Sequence, residues 1–326
     1  MNKGFWEKLE KPIMVLAPMA NVTDASFRSV IAKYGKPDVT WTEFVSVDGL
    51  VSEGREHLLV DFWYSEAERP IVAQIFGAKP ENFFKVAKLI KDLKFDGIDI
   101  NMGCPDRAVL KQGAGGGLIK TPKLAQEIIQ ATQEGGGGLP VSVKTRLGVS
   151  KVMIDEWLSV LAQANLAAIT MHLRTVKELS LVPAHWELMP EVVKIIKNIT
   201  PETLVLGNGD VLTLKDAEDK CAQYGIDGVM IGRGIFGNPW MFNKETPIET
   251  ISIPKRLSAM VEHTKLFEEK FQNVRGKHFE TMKKHYKAYV NNFDGAKELR
   301  MKLMDEAQTA ADVERITSEF FSKNSI

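Results

Sequence analysis

The chain has only two cysteines, Cys104 and Cys221, too far apart to suggest a disulfide framework or a metal-binding spacing. No metal site is expected. No apolar run approaches the roughly 20 residues with which a helix crosses a bilayer, so no membrane-spanning helix is expected. The start, Met1-Asn2-Lys3-Gly4-Phe5-Trp6-Glu7-Lys8, lacks the apolar centre of a secretion signal, so a cytoplasmic location is expected. There is no net charge, 42 Lys and Arg facing 42 Asp and Glu, so any attraction to nucleic acid has to come from local patches. The first apolar run is not followed by a dinucleotide-binding glycine fingerprint, which argues against an open doubly wound sheet.

What is there is ordinary for a globular protein: 44% hydrophobic and 26% charged residues over 326, enough for one large domain and a smaller one. Short β-branched apolar runs alternate with longer stretches of helical period. Strands are expected at Ile13 to Met19, Val39 to Phe44, Ile71 to Phe76, Gly97 to Met102, Val141 to Arg146, Ala168 to Leu173, Thr203 to Gly207 and Gly228 to Ile231. Eight strand-helix units in about 240 residues fit an α/β fold of the closed (β/α)8 barrel type, the TIM barrel. After about Asn243 the strand signal stops, and Pro254 to Ser322 reads as helix. The expected domains are therefore a barrel over 1–243 and a smaller all-α domain over 244–326. Gly135 to Gly138 reads as a flexible turn, and Cys221 as a structural residue of a helix.

The polar and glycine clusters fall at the C-terminal ends of the strands, the face where barrels carry their active sites. The first strand ends in Ala17-Pro18-Met19-Ala20 and the third carries Gln74. The fourth runs into Asn101-Met102-Gly103-Cys104-Pro105, where Cys104 sits at a strand exit, as an acid or nucleophile would. The fifth ends in Lys144-Thr145-Arg146, and the sixth in His172-Leu173-Arg174-Thr175. The seventh and eighth give Gly207-Asn208-Gly209-Asp210 and Gly232-Arg233-Gly234. Glycine turns after the last two strands, with a short helix from Ile235 to about Phe242, would make a phosphate site to which Arg233 adds charge. Lys144 and Gln74 have the reach to hold the polar edge of a flat heterocycle, and a cation there would favour a reduced flavin anion. These residues point to a flavin mononucleotide (FMN) barrel without naming its reaction. Between Lys270 and Lys302, the basic residues Lys270, Arg275, Lys277, Lys283, Lys284, Lys287, Lys297, Arg300 and Lys302 outnumber Glu280, Asp294 and Glu298. His278, His285, Tyr286 and Tyr289 are interleaved. The stripe reads as a solvated helical face or as a weak sign of phosphate binding.

Taken in order, Ala17 to Asp24, Asn101 to Pro105, Lys111 to Gly115, Val143 to Gly148, Gly207 to Asp210 and Gly228 to Gly234 resemble the tRNA-dihydrouridine synthase family. The resemblance implies an FMN enzyme that reduces the C5–C6 bond of chosen uridines in tRNA, with NADPH or NADH as reductant. It implies Cys104 as the acid that protonates C5, with Asn101, Arg146 and Arg174 on the substrate side. It places Pro18, Met19, Ala20, Gln74, Lys144, His172, Asn208, Gly209, Asp210, Gly232 and Arg233 around the cofactor, the first three packing under the ring. The target base would leave its stack to reach the flavin, the helical tail would grip tRNA, and a monomer is expected. Two departures stand out. The sixth-strand motif continues with Leu173, Glu178, Ser180 and Val182 where the family often has other residues, which leaves the target uridine open. The run Gly115-Gly116-Gly117 suggests a mobile loop. An FMN barrel acting on a small pyrimidine or enone, or an RNA-binding protein without catalysis, remain the alternatives.

Overall fold

In the computed structural model, which describes residues 2–324, eight parallel strands follow one another in the sheet order β1-β8-β7-β6-β5-β4-β3-β2. They are β1 (Ile13–Leu16), β2 (Thr40–Ser46), β3 (Ile71–Phe76), β4 (Gly97–Met102), β5 (Val141–Arg146), β6 (Ala168–His172), β7 (Leu204–Asn208) and β8 (Gly228–Ile231). A parallel bridge from Val15 to Val39 joins the two ends. With the hydrogen bonds Leu16 N to Val39 O and Asp38 N to Met14 O, it closes the barrel. β1 and β6 stop before Met19 and Leu173, β2 runs on to Ser46, and β7 reaches Asn208.

The longer helices are α1 (Ala25–Tyr34), α2 (Pro80–Asp92), α3 (Pro122–Gly136), α4 (Ile154–Ala162), α5 (Met189–Ile199) and α6 (Leu214–Tyr224). Asp24 caps α1 by accepting from the N–H groups of Ser26 and Phe27. Proline in the first turn of α2 and α3 gives up a donor that would have no partner there. Inside the barrel, Val15, Val39, Trp41, Val72, Leu206 and Met230 pack on one another, and Trp6 closes the lower end.

Two expectations about glycine need correcting. Gly135 and Gly136 belong to α3, while Gly137, in the left-handed conformation that ends it, and Gly138, at φ 102°, form the turn. A Cβ on Gly135 would lie 2.2 Å from the carbonyl oxygen of Phe84, so its absence lets α2 and α3 touch. Helix propensity alone would favour alanine by about 1 kcal/mol, but overpacking against backbone costs about 1–3 kcal/mol. Gly135→Ala is expected to lower the melting temperature; an unchanged or higher one would show that the two helices can separate freely. The Gly115 run is likewise packed rather than mobile. It forms a 3₁₀ turn, and a Cβ on Gly116 would lie 2.4 Å from Val176.

The tail folds as α7 (Ile253–Phe271), α8 (Glu280–Tyr289), α9 (Ala296–Glu306) and α10 (Ala310–Asn324). It shares a core with the barrel, to which Ala25, Val60 and Trp240 contribute alongside Leu257, Met260, Phe271 and Tyr286. Phe27 stacks on His263 at 4.8 Å, and Trp63 lies parallel to Phe271 at 6.0 Å. Of the interleaved aromatic residues, His285, Tyr286 and Tyr289 are buried and form part of this core, and only His278 is exposed. Lys277 is also taken out of the basic stripe, because it is buried between two carboxylates. Arg275, Lys287 and Lys297 stay exposed, with no ion pair among the described residues. Among those residues, no helix is long and apolar enough to cross a membrane, and no three His, Cys, Asp or Glu gather as a metal site.

Candidate active site

Along β3 to β7 the barrel interior turns polar toward its upper end. Gln74 pairs in register with Asp99, Asp99 with Ser142, Asn101 with Lys144, and Lys144 with Thr170. Asp99, set between Ile98 and Ile100, is fully buried and accepts from Ser142 Oγ at 2.6 Å and Gln74 Nε2 at 2.7 Å. Burial pushes its carboxyl up to about 6, against those hydrogen bonds. Gln74 Oε1 accepts from Asn101 Nδ2 at 3.1 Å. Asn101 Oδ1 in turn accepts the backbone N–H groups of Gly103, at 3.1 Å, and Cys104, at 2.9 Å. This Asx turn fixes the chain where it leaves β4.

Cys104 is 9% exposed and lies against Val109, Ala114, Phe44 and Phe76. Burial raises its thiol above the usual value, so it is protonated through neutral pH. Gly115, at φ 56°, lies so near that a Cβ there would come 3.0 Å from both Cys104 Cβ and Cys104 O.

A cavity of about 310 Å³ opens at the C-terminal mouth of the barrel. Ala17, Pro18, Met19, Val211, Leu212 and Met230 form its apolar wall; Lys144, Arg146, His172, Arg174, Asn208, Gly209, Asp210, Gly232 and Arg233 bring its polar groups. Pro105 links it to the Cys104 turn, and Leu179 and Ser180 close one side. Four cations thus face one carboxylate. Lys144 Nζ donates to Asn208 Oδ1 at 3.0 Å, and Asn208 Nδ2 donates to Met230 O at 2.8 Å. Burial, reinforced by Arg146, lowers Lys144 to about 8. His172 is held well below its ordinary value by burial and by four nearby cations, so it is neutral. Arg174 Nη1 donates to its Nε2 at 3.1 Å, which leaves the imidazole proton on Nδ1.

The structure brings most of the expected residues to this cavity and distributes the rest around it. Ala20 is exposed outside its lining, and Gln74 and Asn101 are buried beneath it. Arg146 and Arg174, expected beside substrate, hold the protein's own loops. Arg146 Nε donates to Gly103 O at 2.8 Å, and its Nη1 to Thr175 O and Leu179 O at 3.0 Å each. Arg174 donates from Nε to Val182 O at 2.6 Å and pairs with Asp210. Asp210, at φ 54°, also accepts from Arg233 at 2.6 Å. The helix expected from Ile235 is absent. A 3₁₀ turn, Arg233–Ile235, leads into loop, where Phe236 is extended and Gly237 takes φ 70°, outside the helical region, as it passes Ala288 O with room for no side chain. Any phosphate site there rests on turn N–H groups and Arg233, with no helix N-terminus. Asp99 was not singled out from sequence; its signal is a carboxylate in the middle of a buried strand.

A family model described as dihydrouridine synthase matches residues 15–325. A probable tRNA-dihydrouridine synthase of Staphylococcus aureus (strain COL) is 43% identical over 324 residues, 98% of this chain and 96% of that protein. A probable tRNA-dihydrouridine synthase 2 of Bacillus subtilis (strain 168) is 42% identical over 311 residues, 95% of this chain and 94% of its own. Among solved structures, an old yellow enzyme homologue from Zymomonas mobilis superposes with a TM-score of 0.50 at 15% identity, over 74% of this chain and 92% of that one. Histamine dehydrogenase from Rhizobium sp. 4-9 gives a TM-score of 0.55 at 14% identity, over 78% of this chain and 48% of that longer one. These two likenesses concern the fold.

Proposed function

This chain belongs to the dihydrouridine synthase family, and from that premise we propose that it reduces the C5–C6 bond of uridines in tRNA to 5,6-dihydrouridine. The observation that carries this reading is Cys104, a buried thiol held in the turn after β4, whose next residue, Pro105, lines a cationic cavity with an apolar wall. The donor set fits FMN: an apolar side at Pro18 and Met19 for the ring, Lys144 and the His172 Nδ1–H for its polar edge, and Arg233 with the Gly232 turn for its phosphate. When bound, the flavin would supply the hydride to C6, with NADPH or NADH restoring it. Cys104 would give its proton to C5. Arg146 and Arg174 would act by holding the loops that carry Leu179 and Ser180, the wall that faces the base. Arg275, Lys287 and Lys297 would lie along RNA phosphates. A cytoplasmic monomer divided near residues 243 and 244 completes the reading.

The test is direct. The purified chain is expected to carry FMN and, with NADPH, to raise the dihydrouridine content of tRNA as read by mass spectrometry. Reduction of free pyrimidines at a rate indifferent to RNA would sink it in favour of a small-molecule reductase.

A pH dependence follows from Lys144. Its folded value of about 8 lies below the ordinary 10.5, so between these pH values the unfolded chain holds the extra proton. The burial penalty of this lysine is full below pH 8 and eases as pH rises through that window. Charge for an anionic ligand is lost over the same range. FMN affinity of the apoprotein is therefore expected to fall above about pH 8, and Lys144→Met to bind more weakly without that decline. Fluorescence titration from pH 7 to pH 9.5 checks it; a flat wild-type profile would remove Lys144 from the cofactor edge.

A further inference from the structure

Lys277 lies between α7 and α8, yet its side chain is only 8% exposed. Its Nζ stands 2.8 Å from Glu43 Oε2 and 2.8 Å from Asp61 Oδ1. Glu43, 4% exposed, comes from the barrel. It sits in a β-bulge: Trp41 pairs with Val72 and Phe44 with Gln74, so Thr42 and Glu43 together oppose Ala73 alone. The Thr42 hydroxyl takes over the ladder by accepting the Gln74 N–H at 3.1 Å. Bulges re-aim side chains beside active sites. Here the second carboxylate oxygen of Glu43 accepts the backbone N–H of Asn21. Asn21 has φ 55°, a strained turn position for a residue with a side chain. It lies in the same turn as Met19, two residues before it and a wall of the cavity, whose own O accepts from Val22 and Thr23 at 3.0 Å each.

We propose that Lys277 is a positioning residue for the cofactor: docked from the helical domain, it holds Glu43, and Glu43 holds the Met19–Asn21 turn against the flavin ring. The proposal rests on FMN lying at this mouth. It gives the helical domain a second task, that of shaping the pocket as well as meeting RNA. A buried ammonium does not reach tRNA phosphate, so the loss of Lys277 should appear in flavin binding and not in the KM for tRNA.

The experiment compares Lys277→Met, Lys277→Arg and Glu43→Gln with the wild-type full chain. A glutamine offers one acceptor oxygen where Glu43 uses two, so Glu43→Gln breaks one link without removing bulk. Lys265→Met, which deletes an exposed lysine paired with Glu314 elsewhere in the tail, is the control. The readouts are FMN dissociation constant, visible circular dichroism of the bound flavin, and kcat and KM on tRNA, on samples shown to be folded by far-ultraviolet circular dichroism. Lys277→Met and Glu43→Gln are expected to weaken FMN binding by roughly tenfold, the scale of one displaced charged hydrogen bond. Both should alter the flavin dichroism and leave the KM for tRNA and its salt dependence unchanged. Lys277→Arg should restore much of the binding, and Lys265→Met should match wild type. Wild-type flavin affinity and dichroism in a folded Lys277→Met overturn the proposal; if that variant does not fold, the same result in Glu43→Gln does so. A wild-type chain that binds no FMN overturns both this link and the function it rests on.

Discussion

Replacing Cys104 by alanine is expected to lower turnover on tRNA by about 10²–10⁴-fold, the usual contribution of a positioned acid, with FMN still bound. The size follows from how completely the surroundings define this thiol. Asn101 pins the N–H of Cys104 and of the residue before it, Gly115 leaves no slack on the other side, and burial keeps the sulfur protonated. Alanine fits the same turn and removes only the proton donor. Cys104→Ser, whose hydroxyl is a far weaker acid, should recover little. Single-turnover dihydrouridine formation from the photoreduced enzyme checks this apart from reductant binding. Wild-type rates in Cys104→Ala would assign the proton to another group or to water.

Arg28→Ala should cause the largest loss of stability, about 3–5 kcal/mol, the range seen when one member of a buried ion pair is removed. Arg28 and Glu68 have side chains 0% and 1% exposed, with Nε to Oε2 at 2.7 Å. The same guanidinium donates to Thr23 O at 2.6 Å and to Trp63 O. Alanine leaves a buried carboxylate and two carbonyls without their donor. The melting temperature should fall by roughly 5 °C, given typical unfolding entropies for a chain of this length. The double change Arg28→Ala with Glu68→Ala should cost less than Arg28→Ala alone, because no charge is stranded. Thermal unfolding of the three variants decides it; a loss within 1 °C for Arg28→Ala would show that water reaches the site.

Much of this was legible in the sequence because barrel strands are written twice, as β-branched runs and as polar residues at their exits. Asn101, Lys144, His172 and Asn208 each follow a buried run and reach or underlie one cavity. What stayed hidden was set by tertiary context. The Thr42–Glu43 bulge leaves no mark in a strand that reads as ordinary. The commitment of Arg146 and Arg174 to loop carbonyls depends on how distant turns cross. The tail did carry a signal in its periodicity: Met282, His285, Tyr286 and Tyr289 recur at helical spacing on one buried face, while Lys287 lies off it. A histidine and two tyrosines among lysines drew attention to charge, when the spacing recorded a core.

The core that Ala25, Val60 and Trp240 share with the tail bears on the history of such a chain. A segment that completes its neighbour's interior is not a cassette. Cut away near residue 243, it would leave Trp240 and the face of α1 wet, and the barrel would lose the lysine that braces its second strand. Recombination therefore has no clean seam to work on, and change in the tail has to come by point substitutions on the outer faces of α8 and α9, with the inner faces held constant.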